Sequence, residues 1–121
     1  MNTTTEASCH CGAVHLTMQL PPENLTECNC SICRRYGVLW AYYSPQDVKI
    51  AASQDATEVY MWGDRTLRFH RCKTCGCVTH WSKVDPKSER MGINARLMDP
   101  LAVRSLRIRK LDGAVTFKYL R

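Results

Sequence analysis

Cysteine carries the chemistry of this sequence. Eight of 121 residues are cysteines, and all fall in three short groups. The first is Cys9-His10-Cys11-Gly12, the second Cys28-Asn29-Cys30-Ser31-Ile32-Cys33, and the third Cys72-Lys73-Thr74-Cys75-Gly76-Cys77. Two thiolates with two residues between them reach one ion at roughly 2.3 Å, so Cys72 and Cys75 have the form of a zinc knuckle. Gly76 is able to take the positive φ that aims backbone N–H groups at the sulfurs. A knuckle supplies two ligands and structural zinc takes four. Cys9 and Cys11, set just before a strand, are the natural second pair. Such a site would close a loop of about 60 residues, and its metal would contribute directly to folding free energy.

Cys28, Cys30 and Cys33 differ in kind. Three sulfurs within six residues cap one ion and leave a fourth position open, which separates a catalytic zinc from a structural one. The alternative is a closed site whose fourth ligand is Cys77, His10, His15, His70 or His80. Spacing alone does not say which groups share an ion. Cys77 otherwise reads as a small buried residue at the start of a strand. A thiol entering an open position loses its proton on coordination and becomes able to attack an aldehyde carbon. Three thiolates outweigh the charge of a divalent ion, so the metal is a weak Lewis acid and favours a thiol ligand over an activated hydroxide. Arg34 and Arg35 offer planar bidentate donors to substrate carboxylates beside these ligands.

Short strands must position these groups. Ala13–Leu20 alternates Val14, Leu16, Met18 and Leu20 against polar residues, a period of two that ends at Pro21-Pro22. Further strands are expected at Val38–Tyr43, Val48–Ala51, Glu58–Trp62, Thr66–Arg71, Val78–Lys83, Arg90–Leu97, Leu106–Leu111 and Val115–Tyr119. Gly63-Asp64 and Asp112-Gly113 read as turns between them. Trp40, Tyr42 and Tyr43 belong to a core strand. Asn24 to Tyr36 shows no strand period, and its end, Cys33 to Tyr36, reads as a helical turn stopped by Gly37. The pattern predicts a mainly β fold of antiparallel sheets with short helical turns, stapled by zinc, in a single domain over residues 1–121.

Composition narrows the partners. The chain is 45% hydrophobic and 23% charged, ordinary globular usage that excludes a disordered chain. Its longest apolar run, Val38 to Tyr43, is too short to cross a bilayer. The opening MNTTTEAS shows neither a basic nor an apolar leader region, so a cytoplasmic protein is expected, and clustered cysteines there point to metal rather than disulfides. The formal charge of +6 hints at nucleic acid. Seven thiolates on two zinc ions would lower it to about +3. The remaining excess lies at Arg104, Arg107, Arg109, Lys110, Lys118 and Arg121, and reads as a solvated strand face. Nucleic acid is therefore not the expected partner. The alternative to an enzyme is a non-catalytic zinc-stabilised binding module, with nucleic acid as its candidate ligand and two ions that only shape the fold.

Taken together, the three cysteine groups resemble those of the glutathione-dependent formaldehyde-activating enzymes, a family that includes the vertebrate centromere protein V. C-x-C-G, then C-x-C-x-x-C-R, then C-x-x-C-G occur in that order, here from Cys9 to Gly12, Cys28 to Arg34 and Cys72 to Gly76. Gly37 and Leu111-Asp112-Gly113 fit as well. The resemblance implies the Mss4-like fold. It also implies a structural zinc on Cys9, Cys11, Cys72 and Cys75, and an active-site zinc on Cys28, Cys30 and Cys33. The implied activity is a carbon–sulfur lyase reaction that interconverts S-hydroxymethylglutathione with glutathione and formaldehyde.

Overall fold

The computed structural model describes residues 4–120; Arg121 of the basic group lies outside them. Strand β1 (Thr5–Ser8) pairs antiparallel with β2 (Val14–Met18), and β5 (Val48–Ala52) pairs with the other side of β2. Val14, Leu16 and Met18 are 0% exposed, while His15 and Thr17 between them are half-buried. The expected period of two is thus the buried face of a three-stranded sheet. Each of these side chains contributes roughly 1.5–3 kcal/mol through burial.

The second sheet has eight strands. They are β3 (Asn24–Cys28), β4 (Trp40–Tyr43), β6 (Thr57–Tyr60), β7 (Leu67–Cys72), β8 (Val78–Lys83), β9 (Met91–Asn94), β10 (Arg107–Asp112) and β11 (Lys118–Tyr119). Their order across the sheet is β11-β10-β3-β4-β9-β8-β7-β6. Two short helices, α1 (Ser31–Tyr36) and α2 (Pro100–Val103), and 3-10 turns at Pro45–Asp47 and Ala95–Leu97 complete the elements. Among the described residues no helix is long and apolar enough to cross a membrane.

Three segments depart from expectation. Asn24–Cys28 is a strand, and it runs parallel to β10, pairing Asn24 with Arg107 through Cys28 with Leu111. Its period was hidden because Leu25 and Thr26, adjacent in sequence, are both buried between neighbouring elements. The strand expected over Arg90–Leu97 stops at Asn94, whose side-chain carbonyl accepts the Arg96 N–H at 3.2 Å and opens a 3-10 turn. All four residues of β9 are buried, so the apparent alternation there marked no exposed face. The strand expected over Val115–Tyr119 shrinks to Lys118–Tyr119, because Thr116 folds back onto the Asp112 carboxylate at 3.0 Å.

Buried side chains gather in two clusters. One holds Val14, Leu16, Met18, Ile93 and Met98 together with Cys9 and Cys72. The other holds Val38, Trp40, Phe69, Trp81 and Leu111 together with Cys28 and Cys33. Each cysteine set is therefore rooted in its own core.

Candidate metal centres and the adjoining cavity

All eight cysteines are free thiols, and seven of them converge into two sets. Cys9 and Cys11 sit in the loop between β1 and β2, Cys72 ends β7, and Cys75 lies in the turn between β7 and β8. The four sulfurs lie within 4.8 Å of one another, with Cys9–Cys11 at 3.7 Å and Cys11–Cys72 at 3.6 Å. Four sulfurs at tetrahedral positions around zinc stand about 3.8 Å apart for a bond of about 2.3 Å. The donor set thus fits a zinc ion, and it joins the small sheet to the large one.

Backbone amides prepare these sulfurs. The Val14 N–H donates to Cys9 Sγ at 3.3 Å. Cys75 is held down to about 5, first by the Cys77 N–H and then by that of Cys11. Gly76 adopts φ 81°, which carries the chain around the sulfurs as its knuckle position requires. N–H donors at a sulfur favour the thiolate, the form that binds metal. Cys77 is half-buried rather than buried, and it borders this set, its thiol meeting the His10 N–H.

Cys28, Cys30 and Cys33 form the second set, again with sulfurs within 4.8 Å of one another. Cys28 ends β3. Cys30 is the N-cap of α1 and accepts the Cys33 N–H at 3.4 Å. Cys33 lies in the first turn of α1, which leaves its helical path at Gly37. Trp40 Nε1 donates to Cys33 Sγ at 3.3 Å. Hydrogen bonding from the Cys33 thiol lowers Cys28 to about 6, helped by the Cys30 N–H; the same bond and burial push Cys33 up.

The turn after β10 closes one side of this set. A Cβ at Gly113 would stand 2.5 Å from Cys28 Sγ, so the close approach needs glycine. Asn29 ties the two segments together. Its Nδ2 donates to Asp112 at 3.0 Å, and its Oδ1 accepts the Ala114 N–H at 3.0 Å. None of the four histidines joins either sulfur set among the described residues. His70 and His80 instead stack on each other at 4.1 Å across β7 and β8.

A cavity of about 600 Å³ opens beside Cys28, Cys30 and Cys33. Its lining includes none of the four-sulfur set. Trp62, just past β6, and Tyr119 of β11 both border it, although β6 and β11 are the opposite edges of the large sheet. Laid flat, eight strands would hold those edges roughly 34 Å apart. The sheet therefore curls until its two edges share one cavity. Tyr42 also lines it, its hydroxyl pushed up to about 12 by burial. Thr26 is the hydrogen-bond partner of Tyr42 and is itself 3.0 Å from the Tyr119 hydroxyl.

The model of the glutathione-dependent formaldehyde-activating enzyme family matches residues 4–109, which span both sulfur sets. The chain belongs to that family. The two sheets, short helical turns and paired cysteine sets of this family member are its Mss4-like architecture. A crystal structure of a Rhodobacter sphaeroides protein, a structural genomics target, is similar, with a TM-score of 0.70 and 28% identity. The match covers 85% of this chain and 98% of that one. None of the curated proteins matches the chain.

Arg34 and Arg35 follow Cys33 directly in α1. Both are exposed on α1, outside the cavity lining, and Arg35 donates to the Ser31 carbonyl of its own helix at 2.8 Å. The cations that do border the cavity are Lys83 and Arg90. Spacing could not find them, since they lie about 50 residues or more from the second cysteine group and reach the site only through β8 and β9. Trp40 and Tyr42 are core residues as expected, but they also line the cavity, whereas Tyr43 packs in the other core and donates to the Leu20 carbonyl.

Proposed function

We propose that residues 1–121 act as one zinc domain, a carbon–sulfur lyase-type enzyme acting on a thiol–aldehyde adduct such as S-hydroxymethylglutathione. Two zinc ions per chain complete this reading. Cys9, Cys11, Cys72 and Cys75 hold the structural ion, and Cys28, Cys30 and Cys33 hold the ion of the active site. The observation that carries the reading is the cavity: it adjoins the three-sulfur set and leaves the four-sulfur set aside. A zinc bound by three thiolates supplies a position where a thiol is held as thiolate or a carbonyl oxygen is polarised.

The residues around that position divide the remaining work. In the splitting direction the adduct's C–S bond breaks, and its electron pair leaves with sulfur. The hydroxyl loses its proton as the C=O bond forms, and the departing thiolate takes up a proton. Thiol and aldehyde are the products; synthesis runs through the same atoms in reverse. Tyr42, held protonated by burial, donates a hydrogen bond to the substrate oxygen, and Thr26 fixes its hydroxyl. Trp40 fixes Cys33 through its indole N–H and, with Phe69 and Trp81, walls the reacting atoms from water.

The test is Cys33→Ser. One of two zinc equivalents is lost by elemental analysis, the far-ultraviolet dichroism stays that of the parent, and turnover of S-hydroxymethylglutathione falls at least about 100-fold. Unfolding of the variant, or unchanged turnover, would overturn the reading.

A further inference from the structure

The chain has two phenylalanines, three tryptophans and five tyrosines. Both phenylalanines, all three tryptophans and two tyrosines border the cavity beside the three sulfurs. Trp40, Phe69 and Trp81 are buried and form its floor. Trp62 and Phe117 are different, being 41% and 75% exposed. They approach from opposite edges of the curled sheet, Trp62 after β6 and Phe117 before β11. Phe117 holds φ 57°, a left-handed conformation that costs a bulky side chain of order 1–3 kcal/mol. Its N–H donates to the Asp112 carbonyl at 2.7 Å, and the Asp112–Thr116 bonds lock the same turn. A packing role does not account for an aromatic ring held this way in solvent.

Two cations, Lys83 and Arg90, border the cavity. The Arg90 guanidinium lies over the Tyr42 ring, 3.9 Å from its centroid. That stacking occupies its face and leaves its N–H edge free for a carboxylate. Among the described residues neither Arg90 nor Lys83 has an acidic partner. The acid on this lining, Asp64, is already engaged by the Thr66 N–H and hydroxyl. A cavity of this size suits a small organic ligand. A tripeptide would bring amide and ammonium groups against a lining in which seven of 19 residues carry rings, at roughly 1–3 kcal/mol for each polar group left unmatched.

We propose that the thiol this site accepts is an aromatic one with a single acid group, its ring held between Trp62 and Phe117 and its carboxylate on the edge of Arg90. The inference rests on the lyase reading for the role of sulfur, but the preference for a ring stands on the cavity itself.

The experiment is calorimetric titration of the zinc-loaded chain with three probes: 3-mercaptobenzoate, mercaptoacetate and glutathione. The aromatic thiol binds at least about fivefold tighter than either of the others. Phe117→Ala and Trp62→Ala change exposed side chains, and each weakens the aromatic probe at least about threefold while leaving mercaptoacetate unchanged. Arg90→Gln weakens both small acids. Less than a fivefold preference for the ring, or an aromatic affinity untouched by both alanine variants, overturns the inference. The same titration with benzoate and acetate, which carry no sulfur, separates the two readings. Preference for benzoate in the Cys33→Ser protein supports the aromatic cavity even where the lyase reading has failed.

Discussion

The two sulfur sets are built from the same residue type and differ in what surrounds them. The four-sulfur set lies between two sheets, and its ligands come from the β1–β2 loop and the β7–β8 turn. The three-sulfur set lies at one curled sheet, beside a cavity that aromatic rings border. Backbone N–H groups reach sulfurs of both sets, and the second set adds the Trp40 indole N–H and the close approach of Gly113. A metal that links separate layers acts on folding, whereas one that faces a cavity acts on what enters it.

Substitutions are able to break this contrast. The largest effect is expected from Cys72→Ser. On the proposed reading, Cys72, which is 1% exposed, is a ligand joining two sheets, and its loss removes the structural ion, whose binding in small zinc domains is worth about 10 kcal/mol or more. The variant should fail to give a cooperative thermal transition, as dichroism will show. A melt like that of the parent would mean that the sheets hold without the metal.

A smaller and more local effect is expected from Gly113→Ala. The added methyl falls against Cys28 Sγ, so the three-sulfur set should lose about 10- to 100-fold in metal affinity while the four-sulfur set keeps its own. Competition with a chromophoric chelator, read as two separate steps, distinguishes the sets. Equal weakening of both steps would dissolve the contrast.

The smallest effect sharpens it from outside either set. Burial, with His70 stacked beside it, lowers His80 from 6.5 to about 3. Between these values the unfolded chain binds a proton that the folded chain does not, so stability falls as pH drops from 6.5 toward 3. His80→Gln should make the melting temperature less steep in pH over this interval. An unchanged slope would place the acid sensitivity in other groups, His70 among them, which burial also lowers.

Much of this design was legible in sequence because metal ligation is local. Cys72-x-x-Cys75 and the run from Cys28 to Cys33 describe short loops whose geometry depends on few neighbours. Strand β2 was legible for a similar reason, since one face of it is wholly buried. Strand β3 was not, because a strand buried on both sides shows no alternation. Lys83 and Arg90 were beyond reach for a topological reason. They approach the cavity only after the sheet has curled, whereas Arg34 and Arg35, adjacent to the ligands in sequence, are exposed on the helix that carries Cys33.

Strand β10 has one further consequence, for a chain growing from the ribosome. All four sulfurs of the inter-sheet set have been synthesised once Cys75 is in place. The other set has its ligands by Cys33, yet the parallel neighbour of β3 and the glycine against Cys28 come from residues 107–113. A nascent polypeptide can therefore secure its scaffold before its cavity has gained its last wall.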